Sequence, residues 1–258
     1  MTNIISSSSS RRTFLRNATA SISASIGATA LAGCVPPAAA QGHSPLLSPS
    51  KGGVILFQGD SITDVGRDRD IADANNAKAL GSGYPAVVAG ALLGTGAPWR
   101  IYNRGIAGHK VPQLQARWER DTLDLKPDLL SILIGVNDYW HTRNSIHYTG
   151  TAADFETQLT SLVTGTQSVL PNIRVVLLEP FVAPFGAVDT SWFPAFDERR
   201  AIVARVAEKT SSTFIPLQAT FDRLGKETAP QTWLQDGVHP TLLGHAMMAE
   251  QWRRATGL

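Results

Sequence analysis

Short apolar runs recur along the chain, separated by longer stretches in which apolar positions return at helical spacing. Val54–Phe57, Trp99–Asn103, Leu129–Gly135, Arg174–Glu179 and Thr213–Leu217 are brief and nearly all apolar, as strands of a sheet covered on both faces must be. Helical spacing runs through Tyr84–Leu93, Val111–Asp121, Ala152–Leu170, Phe196–Thr210 and Leu242–Ala255. Thr151 and Asp154 supply an N-cap for the third of these. Alternation of strand and helix predicts a parallel sheet with right-handed crossovers, hence one three-layer α/β/α domain starting near Lys51. Side chains that act on a ligand are expected just beyond the carboxyl ends of such strands.

The segment ahead of that domain reads as an address. It contains "SRRTFLR" (Ser10–Arg16), a weakly apolar Ala/Ser-rich stretch, and "LAGC" (Leu31–Cys34). A basic patch, an apolar region and small residues before a cleavage point are the parts of an export signal. The paired arginines resemble a twin-arginine signal, and "LAGC" resembles a lipobox ending in an acylated cysteine. Residues 1–33 are therefore expected to be an export signal, and residues 34–50 a Pro/Ser-rich linker carrying a lipidated Cys34 and no packed structure. A competing cleavage after Ala40 would release a soluble protein. The location expected is outside the cytoplasmic membrane of a bacterium, with the membrane met only through that anchor.

Charge and cysteine usage narrow the rest. The formal charge is +2, from 23 basic and 21 acidic side chains. Residues 1–33 hold Arg11, Arg12, Arg16 and no acid, so the remainder has 20 basic against 21 acidic groups. That balance gives no electrostatic ground for a nucleic-acid partner, and no apolar run reaches the roughly 20 residues of a membrane span. Cys34 is the only cysteine, which excludes intrachain disulfides and cysteine-ligated metals.

Four polar segments follow strands or precede the last helix: "GDSIT" (Gly59–Thr63), "NRGIAGHK" (Asn103–Lys110), "GVNDYWH" (Gly135–His141) and "DGVHP" (Asp236–Pro240). A serine hydroxyl needs a positioned base to act as a nucleophile, usually histidine, and the imidazole needs a carboxylate to fix its tautomer. Ser61, His239 and Asp236 are the candidates. Asp236 and His239 are three apart, and Pro240 disfavours a helical His239, so a loop can fold the carboxylate back onto the ring. An oxyanion hole needs preorganised donors, for which the Ser61 amide, Gly108 and Asn137 are available.

Together, in this order and spacing, the four segments resemble the signature blocks of the SGNH (GDSL-type) hydrolases, across residues 51–258. That resemblance implies a flavodoxin-like parallel sheet of about five strands and a serine esterase needing no cofactor or metal. It gives Ser61 as nucleophile, His239 as base and then acid, Asp236 as its orienter, and Ser61, Gly108 and Asn137 as oxyanion donors, with Gly105 structural. The absence of Gly-x-Ser-x-Gly separates the chain from the α/β-hydrolase elbow. "FQGDSITDVGR", "LQARWERD", "ILIGVNDYWH" and "DGVHPTLLGH" further resemble the acetylxylan-esterase branch, implying an acetylated carbohydrate or other small ester as substrate. A lysophospholipase or thioesterase, and a surface carbohydrate-binding lipoprotein with a vestigial site, are the rival readings.

Around these residues, Asp64, Trp140 and Trp192 are candidate substrate contacts, though Asp64 reads first, with Arg67 and Asp138, as a structural or loop-ordering group, and the tryptophans read as well as core or loop packing. Trp233, His109, His141 and His147 are further cleft candidates, and His245 is a packing or capping histidine. Asp236, His239 and His245 do not have the spacing of a helical metal motif. The polar stretch between Asp68 and Gly81 is expected to form a rim loop.

Overall fold

The structure is a computed structural model and describes residues 47–144 and 146–258. The export signal, Cys34 and the start of the linker lie outside the described residues.

Five strands form one parallel sheet: β1 (Gly53–Gly59), β2 (Trp99–Asn103), β3 (Leu129–Leu133), β4 (Arg174–Leu178) and β5 (Thr213–Ile215). Their order across the sheet is β2-β1-β3-β4-β5. Between β1 and β2 lie α1 (Ser61–Asp64), α2 (Ala77–Leu80) and α3 (Tyr84–Leu93); α4 (Val111–Ala116) precedes β3; α5 (Val136–Arg143) and α6 (Ala152–Val169) precede β4. The chain continues through α7 (Ala195–Lys209), β5 and α8 (Gln218–Glu227), and closes with α9 (Leu242–Thr256).

The continuous apolar runs follow from burial on both faces. Ile55, Phe57, Leu129, Leu133, Val176 and Leu178 belong to one core with α3 and α9. Their alternates Leu56, Leu130, Ile132, Val175 and Leu177 belong to a second with α6 and α7. Successive side chains of a strand face opposite ways, so each strand feeds both cores. Ser131 is a polar exception in the middle of β3, and its Oγ accepts from Trp252 Nε1 at 3.0 Å, fixing α9 to the sheet.

Four expectations need correction. Val111–Asp121 is not one helix: α4 stops at Ala116 and a π-helical turn spans Glu119–Leu123. The buried Gln58, at the end of β1, donates to Asp121 O at 2.9 Å and Thr122 Oγ1 at 2.8 Å, drawing that turn out of regular helical pairing. Helices α5 and α8 were not expected; the first is short and polar, and the second has few apolar positions to mark it. The last residues of the 34–50 linker also pack. Leu47 lies against the core and Ser48 bridges Gly52. The Asp68–Gly81 loop contains the short helix α2. By contrast, Thr151 and Asp154 form the reciprocal N-cap of α6 as expected.

With β1 between β2 and β3, the strand connections reverse direction between β1 and β3, which opens a crevice at their carboxyl ends. The residues after β1 and β3 converge there.

Candidate active site

Asp60 and Ser61 follow β1 directly. The Asp60 carboxylate accepts from the Ile62 amide at 3.0 Å, which caps α1 and holds Ser61 at the rim. From the C-terminal loop, His239 Nε2 lies 2.9 Å from Ser61 Oγ. On the other side of the ring, Nδ1 is 2.8 Å from Asp236 Oδ2. The second oxygen, Oδ1, accepts the amides of Val238 at 3.0 Å and His239 at 2.8 Å. Asp236 is thus wedged between two backbone donors and the imidazole. An ionised carboxylate only accepts, so the ring hydrogen sits on Nδ1 and Nε2 is left to accept from the serine. Burial opposes ionisation of Asp236, but the His239 amide and ring and the Val238 amide outweigh it and hold the carboxyl below its ordinary range.

Three candidate donors lie on the segments around Ser61: its own amide, the Gly108 amide and the Asn137 side chain. Neither the Ser61 amide nor the Gly108 amide donates to another described residue. Gly108 adopts φ +77°, and a Cβ there would meet nothing closer than His141 Cε1 at 3.9 Å; the backbone conformation, not crowding, demands glycine. Gly105 differs, since its Cβ would fall 2.7 Å from the Asp64 amide, a close approach between loop and α1. Asn137, at the start of α5 and 4% exposed, gives one side-chain hydrogen to His109 O at 3.3 Å. The second hydrogen of that amide has no partner among the described residues.

A hydrogen-bonded chain from Ser61 through His239 to Asp236 is the equipment of nucleophilic acyl transfer. Known proteins carry the same blocks. The model of the GDSL-like Lipase/Acylhydrolase family matches residues 57–247. The chain belongs to that family. An acetylxylan esterase of Geobacillus stearothermophilus is 36% identical over 212 residues, covering 79% of this chain and 93% of the relative. Among solved structures, a Parabacteroides merdae protein assigned to the GDSL-like lipases has a TM-score of 0.78 and 47% identity, over 81% of this chain and 97% of its own. The crystal structure of the Geobacillus esterase Axe2 gives a TM-score of 0.73 and 34% identity, over 82% and 97%. The protein is therefore a carboxylic ester hydrolase with the SGNH fold, which sets aside the reading as a binding lipoprotein without activity.

The hydrolase places the remaining candidates unequally. Trp140, half-buried on α5, has its ring 6.2 Å from the His239 ring, so it borders the reactive atoms. Trp192 is 2% exposed and packs at 5.3–5.8 Å against Tyr139, Trp140 and Phe196. It backs Trp140 and has no face free for a substrate, contrary to the sequence reading. For Asp64 the substrate-contact reading gives way to the loop-ordering one. Buried at 5% exposure, it pairs with Arg67 at 3.2 Å and with Arg69, and accepts the Ala107 amide at 2.9 Å. Its role is to tie α1 to the loop that carries Gly108. Trp233 is turned to Thr228 Oγ1, 2.7 Å from its indole nitrogen.

Of the histidines, His245 accepts from the Tyr84 amide at 3.1 Å and caps α3. His147 is in an exposed turn after α5. His141, a cleft candidate by its loop alone, is placed by Lys110. The Lys110 ammonium, buried and 3.2 Å from His141 Nδ1, can only donate, so His141 carries its hydrogen on Nε2. Burial and the Lys110 charge also lower its pKa, keeping a neutral donor beside Gly108. Spacing in the sequence offered no signal for this pair.

Two carboxyl groups next to the reactive residues are protonated far above their ordinary range. Burial raises Asp60 and Asp138 from 3.8 to about 7 each, and each keeps one oxygen without a partner. Burial also lowers His245 and His109 from 6.5 to about 4, with the His239 charge adding for the first and Arg117 for the second. Between pH 4 and 6.5 the folded state holds the extra carboxyl protons while the unfolded state holds extra imidazole protons, so the two effects oppose each other. Above pH 6.5 only the carboxyl protons remain, and their stabilisation is lost as pH rises through 7. The melting temperature is expected to fall from pH 6 to pH 8. Asp138→Asn, which cannot titrate, should flatten that slope; a slope unchanged in the variant, measured by calorimetry, refutes the assignment.

If Asn137 donates to the oxyanion, Asn137→Ala should reduce kcat by about 10²–10³ with little change in KM. A loss below fivefold, with circular dichroism unchanged, removes it from the hole.

Proposed function

We propose that this hydrolase removes acetyl groups from carbohydrate through an acyl-enzyme on Ser61. The observation that carries the mechanism is the continuous hydrogen-bonded chain from Ser61 Oγ through His239 to Asp236. Ser61 Oγ attacks the acetyl carbonyl as His239 Nε2 takes its proton. The amides of Ser61 and Gly108 and the Asn137 side chain hold the negative oxygen. His239 then returns the proton to the departing sugar hydroxyl, and water repeats the sequence on the acetyl-enzyme. Structures of the Geobacillus esterase described as catalytic mutants change a serine, an aspartate and a histidine three positions after that aspartate. The spacing matches Asp236 and His239, which supports these roles.

The substrate class rests on that relative and on Trp140, an amphipathic ring at the rim suited to stacking on a sugar face. Acetate release from acetylated xylan, set against hydrolysis of a long-chain ester, tests it. Release from xylan with poor cleavage of the long chain is expected. Cleavage of the long-chain ester alone would keep the mechanism and move the function to lipids. We also propose that residues 1–33 direct export and that Cys34 is acylated. The mass of the mature N-terminus decides between a diacylated Cys34 and a cut after Ala40.

A further inference from the structure

Beside the reactive cleft is a second cavity of about 380 Å³, lined chiefly by Arg67, Arg69, Arg104, Arg120, Ile106 and Asp121. Four guanidinium groups around one small space are costly unless balanced, since like charges in a partly desolvated site repel. Balance within the chain is incomplete. Asp64 is shared by Arg67 and Arg69, and Asp121 by Arg120 at 2.8 Å and by Arg117 behind it at 3.1 Å. Arg104 has no carboxylate among the described residues; it donates to Ala72 O at 2.9 Å and lies over the Tyr102 ring. Arg117, 8% exposed, has one terminal nitrogen with no partner. Asp68, Asp70 and Asp73 of the adjoining loop form ion pairs with none of these arginines. Five guanidinium groups therefore face two carboxylates. Burial first, and then the neighbouring guanidinium charges, push Arg67 and Arg117 down from the ordinary arginine range.

The cavity shares a wall with the reactive site. Ile106 is two residues before Gly108, and its amide donates to Gly59 O at 3.0 Å, two residues before Ser61. Arg67 donates to Gly105 O at 2.8 Å, and Asp64 holds the Ala107 amide. A chain molecule with its ester at Ser61 can thus extend past the 104–108 loop onto the arginines.

We propose that this cavity is a subsite for the carboxylate of an acidic sugar carried on the acetylated glycan. Guanidinium groups match a carboxylate through paired, parallel hydrogen bonds. Arg104, half-buried and without a carboxylate among the described residues, and the exposed Arg120 are the members best placed to meet it, since the exposed Arg69 is held by Asp64. The inference rests on the carbohydrate reading above and adds that the preferred glycan bears uronic acid units.

The test compares kcat/KM on acetylated xylooligosaccharides with and without one uronic acid substituent. A preference of about tenfold for the acidic substrate is expected, the contribution of one charge-assisted contact. It should shrink as sodium chloride is raised towards 0.5 M, because the site is open to counterions. In the Arg104→Gln/Arg120→Gln double variant the ratio should fall to about one. Arg120→Gln alone, at a largely exposed position, is expected to lose part of it and guards against misfolding of the double variant. Glucuronate binding to the Ser61→Ala protein, followed by calorimetry with inorganic phosphate as the comparison, needs no turnover. Binding of glucuronate that is weakened by the double substitution supports the subsite even if acetylated xylan is not cleaved. An unchanged ratio in the double variant, or binding of phosphate without glucuronate, overturns it.

Discussion

Ser61→Ala is expected to lower turnover of any acyl ester by on the order of 10⁴–10⁶, to what the oxyanion donors and binding alone supply. The change removes one oxygen, 2.9 Å from His239 Nε2, and leaves the surrounding frame intact. Asp60 still caps α1 through the Ile62 amide, and Asp64 still holds Ala107. The Kd of a non-reacting analogue should therefore stay near that of the unaltered protein, and the folded structure should survive. Retention of more than one per cent of the activity in a purified, folded variant would mean that a different group attacks the ester.

Asp236→Asn is expected to cost about 10³–10⁴ in kcat, again with KM little changed. The geometry makes the amide a poor substitute in either orientation. With its oxygen towards the Val238 and His239 amides, its NH₂ faces His239 Nδ1 and drives the ring hydrogen to Nε2, where it blocks acceptance from Ser61. Turned over, the oxygen meets Nδ1, but the NH₂ then confronts two backbone donors that Oδ1 satisfies at 3.0 and 2.8 Å. One such buried donor left unpaired costs about 1–3 kcal/mol. Steady-state kinetics on a small acetate ester, with a melting curve alongside, separates the two effects. A variant that keeps kcat within tenfold would show that Asp236 orients nothing essential.

Much of this architecture is legible in the chain itself, because a strand buried on both faces must be apolar at every position. Val54–Phe57, Leu129–Leu133 and Val175–Leu178 come close to that condition and lie in the three inner strands of the sheet. The reactive segments are legible for a related reason: Ser61, Gly108, Asn137 and the Asp236–His239 loop each need a particular residue type at a particular turn. Local chemistry of that kind is written locally.

What the sequence could not determine is which side chain faces which space. Trp140 and Trp192 are equivalent as isolated aromatics, yet packing against Tyr139 and Phe196 buries one and leaves the other beside His239. Asp64 has the composition of a substrate contact, but the return of Arg67, Arg69 and the 104–108 loop onto it makes it a brace. The π-helical turn at Glu119–Leu123 depends on Gln58, more than sixty positions earlier. The arginine cavity gathers residues from three separated segments, each unremarkable alone. These outcomes belong to the tertiary structure because side-chain burial and the balance of charge are set by neighbours distant in sequence, whereas backbone conformation and apolar periodicity are set by neighbours along it.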